Sequence, residues 1–201
     1  MPWKRFSRAS GGRTRPASIR SASVSASGRS DRHPGPLCAL HRLILTAREP
    51  AQLRRELIDF GCSQIDPGSR IEIGGYSEQR EQQDLAREQF RIGDCRPLDE
   101  VVSELLQMGE IPCWCTACYR KGRTGEHFME FAIPGFITRF CTPNALLTLQ
   151  EYLCEYASAE VQTSGASLIV AELAQLPEDA SKSELLSRLA AIEQGQRDLY
   201  F

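Results

Sequence analysis

Apolar residues are sparse over the first forty positions and then fall into short runs and helical stripes. Leu43, Ile44 and Leu45 make an apolar run suited to a buried strand. Pro50 opens a helix on which Leu53, Leu57 and Ile58 share one face, with Gly61 as its stop. A short strand at 63–65 follows and ends in the turn signature Asp66-Pro67-Gly68. The very polar stretch 77–90 reads as an exposed helix or a loop. Pro97 starts another helix, with Val101, Val102, Leu105 and Leu106 inward and Gly109 ending it. Ile111 to Cys115 reads as a third strand. This strand–helix–strand rhythm predicts βα units with a parallel sheet. Beyond Cys141 the pattern turns helical. Thr142 as N-cap and Pro143 at the first helical position open a helix over 143–157, with Leu146, Leu149, Leu153 and Tyr156 at helical spacing. Ser158 caps a further helix to about Ala174, and Ser181-Lys182-Ser183-Glu184 fits a capping box before Leu185, Leu189 and Ile192.

At 201 residues the chain is long enough for one ordinary domain or a piece of a larger one. Residues 1–36 are rich in Ser, Arg, Gly and Ala and are expected to be disordered. Their Arg-rich, acid-poor character also suits an organelle transit peptide, so the cytoplasm is the expected compartment and an organelle the alternative. The net charge of −2 hides an asymmetry, because residues 1–33 hold eight Lys or Arg and a single acid, Asp31. The acidic remainder argues against nucleic acid as a partner. No apolar run reaches the ~18–20 residues that a membrane span needs. With no export signal, the eight cysteines are expected to be reduced thiols rather than a disulfide framework.

Cys115-Thr116-Ala117-Cys118 sets two thiols at C-x-x-C spacing, and Cys141 follows after 22 residues. Three thiolates on a four-iron cluster leave one iron without a protein ligand. Zinc in a Cys3His set with His127 is the competing occupant, and a structural or redox thiol pair is the third. Arg120, Lys121 and Arg123 follow the pair, where positive charge stabilises thiolates and an anionic cluster; the bland alternative is a solvated basic loop. Gly122, Gly125 and Gly135 permit tight turns or close backbone approach. Cys62, Cys95 and Cys154 are isolated, each a small buried residue or an incidental surface thiol. In an extended 111–115 segment, Cys113 would share a face with Cys115, making it an extra ligand or a spectator. Glu126 and His127 are weak candidates for polar contacts near the site.

The run Cys115-Thr116-Ala117-Cys118-Tyr119-Arg120-Lys121-Gly122-Arg123-Thr124-Gly125-Glu126-His127-Phe128-Met129 is long and specific. With Cys141-Thr142-Pro143-Asn144-Ala145-Leu146-Leu147-Thr148-Leu149 and Glu151-Tyr152-Leu153, it resembles the C-terminal region of the radical S-adenosylmethionine tyrosine lyases that mature the H-cluster of [FeFe]-hydrogenase. Upstream, Leu45-Thr46-Ala47-Arg48-Glu49-Pro50, Gly68-Ser69-Arg70, Gly74-Gly75-Tyr76 and Leu98-Asp99-Glu100-Val101-Val102 extend the resemblance over roughly Leu43 to Leu173. Thiamine-synthesis tyrosine lyases share the barrel but are more distant. The resemblance implies cleavage of tyrosine into p-cresol and a fragment that yields carbon monoxide and cyanide. It also implies an auxiliary [4Fe-4S] cluster on Cys115, Cys118 and Cys141, with an additional iron at its open corner.

The fold it implies is α/β, the last βα units of a TIM-type (β/α)8 barrel over residues 37–114, then a mostly helical cluster-binding region over 115–201. Arg48 and Arg70 lie at predicted strand ends, where barrel sites gather, and an arginine there can pair with a substrate carboxylate; a surface salt bridge is the alternative for each. The family's C-x3-C-x2-C motif for the S-adenosylmethionine cluster does not occur in this sequence. The chain alone is therefore expected to be inactive, using S-adenosylmethionine only when a missing N-terminal barrel half is supplied. That half and other hydrogenase maturation proteins are the expected partners. A non-catalytic zinc or iron–sulfur module, or the product of a truncated gene whose first ~42 residues are out of frame, is the alternative.

Overall fold

The computed structural model describes the backbone of residues 4–8 and residues 44–59, 62, 64–67, 91–114, 116–132 and 138–201. In chain order these form β1 (Lys4–Arg8), α1 (Ala51–Asp59), β2 (Gln64–Ile65), α2 (Leu98–Gln107), β3 (Glu110–Cys113), α3 (Thr116–Arg120), α4 (Gly125–Ala132), α5 (Thr138–Glu155), α6 (Ala159–Leu173) and α7 (Ala180–Glu193). The segment 77–90 and the Gly61 stop lie outside the described residues.

Helix α2 forms where its spacing predicts. Pro97 takes the N-cap position, Asp99 and Glu100 occupy the first turn, and Gly109 at φ 75° follows the last turn. Its four apolar residues make two parallel stripes rather than one. Val101 and Leu105 pack with Leu45, Ile58, Cys62 and Ile65. Val102 and Leu106 pack with Ile111, Cys113 and the leucines of α5. The helix is thus a shared wall between a small cluster built on the βα segment and a larger one built on the C-terminal helices. The larger cluster draws on both sides of residues 114/115, so the expected boundary between barrel and cluster region is no break in the core.

The sheet is α/β in character but departs from a parallel barrel. Among the described residues it has the order β2-β1-β3, with β1 antiparallel to both neighbours. Lys4 faces Ile65 in one register, and Arg5 to Arg8 run from Cys113 to Glu110 in the other. Strands β2 and β3 therefore point the same way, as the βα rhythm requires, without pairing to each other. The parallel contact that does form is the single bridge Leu45–Ile65, so the expected strand at 43–45 is reduced to that bridge. Residues 4–8 lie in the segment expected to be disordered and form a strand instead. A ladder is made from backbone groups, so two unpaired strand edges recruit a segment with no apolar pattern.

Three helix readings shift. Leu53 is 38% exposed while Arg54 is buried beside Ile58, so the inward face of α1 includes a cation. Helix α5 begins at Thr138, which puts Cys141 in its first turn and Pro143 inside it rather than at its start. Proline lacks the N–H that would bond the carbonyl four residues back. Nearby, the Asn144 side-chain Nδ2 donates to the Phe140 carbonyl at 2.8 Å, satisfying an acceptor in the same strained turn. Tyr156 lies past the end of α5 and is 72% exposed, whereas Tyr152 is buried, stacks on Trp114 at 5.1 Å and donates to Asp99 at 2.9 Å. Burial and the adjoining Asp99 carboxylate push the Tyr152 phenol up. At α7 the cap is Asp179, which accepts from the Lys182 N–H at 3.0 Å, two residues before the expected box. Leu185, Leu189 and Ile192 are buried as their spacing predicts.

A buried ion network fixes the loop before α2. Asp94 binds Arg54 and takes both prongs of Arg96 at 2.9 Å; Arg96 reaches on to Glu104 at 3.0 Å, and Arg55 binds Glu104 from α1. Arg54 also donates to the Asp66 carbonyl at 3.0 Å, joining α1, β2 and the 91–97 segment. Burial pushes the Asp94 carboxyl up, but the two guanidiniums outweigh it and hold it below the usual carboxylate range. Arg96 is correspondingly raised, while the burial of Arg54 outweighs its share of Asp94 and lowers it. Gly93 closes the same corner: its N–H and that of Asp94 both donate to the Ala47 carbonyl, and a Cβ at 93 would sit 2.3 Å from the Arg48 carbonyl oxygen.

Two outcomes follow for urea unfolding. Asp94→Ala leaves Arg54 and Arg96 without their shared carboxylate and lowers stability by about 3–5 kcal/mol. In the parent, the Asp94 contribution is full above roughly pH 4 and is lost as pH falls through the depressed folded value, so the variant shows a flatter acid limb. Gly93→Ala forces backbone apart and loses about 1–3 kcal/mol; an unchanged midpoint for either variant contradicts the packing described.

Candidate metal centre

Helix α3 is five residues long and ends as the sequence Lys121-Gly122-Arg123 dictates. Gly122 adopts φ 67°, which costs little without a Cβ. The Gly122 N–H bonds the Tyr119 carbonyl at 3.2 Å and the Arg123 N–H bonds the Cys118 carbonyl at 2.8 Å. This pair is the Schellman closure of a helix, and its outer bond ends on Cys118 itself. Cys118 is 9% exposed and sits with Ala117 on the buried side of α3. Cys141 is half-buried in the first turn of α5. Cys115 lies outside the described residues, directly before α3. Among the described residues no three His, Cys, Asp or Glu side chains gather as a metal-holding group.

The basic run after the cysteine pair divides into two roles. Arg120 and Lys121 are exposed, lie over the Tyr200 ring at 5.6 and 5.3 Å, and Arg120 pairs with Asp198 at 2.9 Å. Arg123 is only 8% exposed, so it is not part of a solvated loop. Its guanidinium lies 4.6 Å over the ring of Phe140, the neighbour of Cys141, and its Nη2 donates to the Phe201 backbone oxygen at 2.7 Å. Its Nε has no partner among the described residues.

The segment 194–201 has a structural part that the sequence reading did not assign. Gly195 at φ 97° turns the chain off α7, with Gly195 and Gln196 N–H groups closing onto Ile192 and Ala191. The segment then returns along α5. Leu199 N–H reaches Glu151 at 3.4 Å, and Phe201 N–H donates to Asn144 Oδ1 at 2.8 Å. Burial pushes the Glu151 carboxyl up, against the pull of the Asp198 and Leu199 N–H groups. Arg188 holds the end of the segment, binding the Tyr200 carbonyl and covering the Phe201 ring at 4.0 Å. A helix stop at Gln194-Gly195 followed by Leu199-Tyr200-Phe201 was the available signal, an apolar ending on a polar stretch.

The other candidates are placed as follows. Cys113 is buried at the end of β3 within the larger apolar cluster. Strand β3 ends at Cys113, and the Cys115 that it was expected to align with lies outside the described residues. His127 is on the exposed side of α4 with Nδ1 2.8 Å from Glu130 Oε2, and Glu126 is exposed one residue before it. Arg48 is exposed at the corner that Gly93 packs against, and Arg70 lies outside the described residues, as does Gly135.

The donor set fits an iron–sulfur centre. Cysteine thiolates are the soft ligands such clusters use, one of the three is buried, and a buried guanidinium with an unsatisfied N–H follows it by five positions. The one N–H of that guanidinium without a hydrogen bond among the described residues would be complemented by an anionic group nearby.

Compared with known proteins, the chain matches no family model and no curated protein. Among solved structures it is similar to HydG, a maturase of the [FeFe]-hydrogenase, at 42% sequence identity and a TM-score of 0.70. The match covers 79% of this chain and 33% of that one, so the chain spans about a third of that protein's length. This bears out the resemblance to the C-terminal part of such a maturase that the cysteine motif and its flanks carry. No helix among the described residues is long and apolar enough to cross a membrane.

Exposure sorts the thiols by reactivity. Under native conditions Cys95 and Cys154 are alkylated first, and Cys62, Cys113 and Cys118 at least ~10-fold more slowly, read by peptide mass mapping. Equal rates for Cys118 and Cys154 contradict the burial of α3.

Proposed function

From the match to the C-terminal part of a HydG-like protein, we propose that this chain is the auxiliary-cluster portion of a radical S-adenosylmethionine maturase for [FeFe]-hydrogenase. The observation that carries it is the 42% identity over most of the chain, joined to the C-x2-C-x22-C spacing in that chain. Cys115, Cys118 and Cys141 would hold a [4Fe-4S]-type cluster. Such a cluster, when bound, keeps one iron free of protein ligands, where an additional iron or a small ligand attaches.

The chain's own residues support that role in separable ways. The Schellman closure fixes the backbone at Cys118, and the first turn of α5 presents Cys141. Arg123 supplies a buried positive charge, and Arg120 and Lys121 an exposed one. Cys113 serves the apolar core, where burial between Ile111 and α5 is its use. Pairing of His127 with Glu130 on an exposed helix face favours three thiolates over a Cys3His zinc set. The last βα units of a TIM-type barrel are the proposed setting for α1 to β3, with Arg48 and Arg70 offered to a substrate carboxylate. Tyrosine cleavage and the supply of carbon monoxide and cyanide would belong to the chain together with the N-terminal barrel half. The C-x3-C-x2-C motif that starts radical chemistry is not in this sequence, so S-adenosylmethionine would be used only in that combined form.

Anaerobic reconstitution with iron and sulfide, followed by Mössbauer and electron paramagnetic resonance spectra, tests the reading. One four-iron cluster per chain is expected, lost in Cys141→Ala and retained in Cys113→Ser. Tight zinc retention with no cluster, or a cluster indifferent to Cys141, sinks it.

A further inference from the structure

The elements that carry Cys118 and Cys141 are far apart in sequence and have few apolar residues of their own to bring them together. Helix α3 has five residues, and α5 begins with Thr138, Arg139 and Phe140 before its buried leucines start at Leu146. Something else must set their register, and one residue touches both, its backbone bonded to α3 and its side chain laid on the start of α5. Arg123 is bound through its N–H to the Cys118 carbonyl at 2.8 Å, and its guanidinium covers Phe140, the residue before Cys141, at 4.6 Å. Its Nη2 then donates at 2.7 Å to Phe201, whose N–H is held at 2.8 Å by Asn144, one residue short of a full turn beyond Cys141. Asn144 Nδ2 closes the loop by donating to the Phe140 carbonyl at 2.8 Å. Asn144 is 3% exposed, so the ring of contacts is shielded from water, where hydrogen bonds to a charged group are worth most.

We infer that Arg123 is a positioning residue for Cys118 and Cys141: with Asn144 and the backbone of Phe201 it clasps α3 to the start of α5 and fixes the register of the two cysteines before metal arrives. The inference rests on the reading of that site as a cluster site, but the clasp itself is a property of the metal-free chain. Arginine is required by geometry as well as charge. Its planar fork stacks on Phe140 and reaches Phe201 at once, which a lysine ammonium on a flexible stem does not reproduce. The segment 194–201 is then part of the metal site's architecture although it contributes no ligand.

The test uses the full chain and two readouts. In the metal-free state, hydrogen exchange in Arg123→Gln speeds up by about tenfold at 116–123 and 138–144 and stays at the parent rate in α2 and α6. After anaerobic loading with iron and sulfide, Arg123→Gln holds less than half the parent's iron, and its residual cluster has shifted g-values. Arg123→Lys, which keeps the charge, shows the same loss of register in exchange and only partial recovery of iron. If Arg123→Gln loosens α2 and α6 as well, Asn144→Ala decides, because it leaves Arg123 in place and releases Phe201 from α5. Parent-like exchange at 116–123 in Asn144→Ala, or parent-like iron and g-values in Arg123→Gln, overturns the inference. A parent chain that takes up no four-iron cluster while Arg123→Gln still loosens both segments overturns the cluster reading and leaves the clasp standing.

Discussion

The seating of α5 on β3, α6 and α7 is the contact from which the rest of the described structure takes its position. Leu146, Leu147 and Leu149 are fully buried within four residues of one another, too many for a one-sided amphipathic stripe. The helix is therefore covered on several sides, with β3 on one and α6 and α7 on the others. Burying three leucines completely is worth about 1.5–3 kcal/mol each, so α5 cannot shift without losing most of what holds the C-terminal region together. Polar contacts then index its ends. At one end Tyr152 reaches Asp99 of α2, which also accepts from the Ser158 N–H where α6 begins. At the other, Asn144 holds Phe201. Cys141 inherits its place from this rigid body through only one helical turn.

Helix α2 transmits that rigidity to the βα segment. Its Val102–Leu106 stripe belongs to the α5 core and its Val101–Leu105 stripe to the Leu45–Ile65 core, one residue apart around the helix. The ion network reinforces the second contact, since Glu104 on α2 is the terminus shared by Arg96 and Arg55. Apolar packing alone tolerates small slides. A bidentate arginine on a buried carboxylate does not, because misalignment leaves charge unpaired in a poorly solvated place. The described elements thus divide the work: leucines supply cohesion, and the Asp94 and Arg123 clusters supply register.

What could be read from the sequence follows the same division. Helices whose stability comes from an apolar stripe were legible: the four inward residues of α2, and Leu185, Leu189 and Ile192 of α7, match their spacing. The cysteine spacing and its flanks carried the family resemblance, since a long specific run constrains identity more than any local propensity. The misses lie where tertiary contacts override local signals. Pro143 reads as a helix start because proline suits the first turn, yet α5 extends upstream and Asn144 satisfies a carbonyl in the turn the proline disturbs. The burial of Arg54 and Arg123 leaves no local pattern, because their partners, Asp94 and Phe201, are 40 and 78 residues away. Strand β1 has no apolar pattern to find, because a ladder is made from backbone groups.

Strands β2 and β3 run in the same direction with their facing edges not paired to each other, and an open edge of that kind recruits whatever strand is at hand. An antiparallel ribbon filling the slot from Lys4 to Arg8 satisfies the backbone groups of both neighbours without asking anything of side-chain sequence. A parallel strand would satisfy the same groups with evenly spaced, slanted bonds. The two arrangements compete for one set of donors and acceptors, so a parallel strand enters the slot only when β1 leaves it. The contacts that join α3, α5 and the 194–201 segment draw on none of those donors and acceptors, although α5 itself lies against β1 as well as β3.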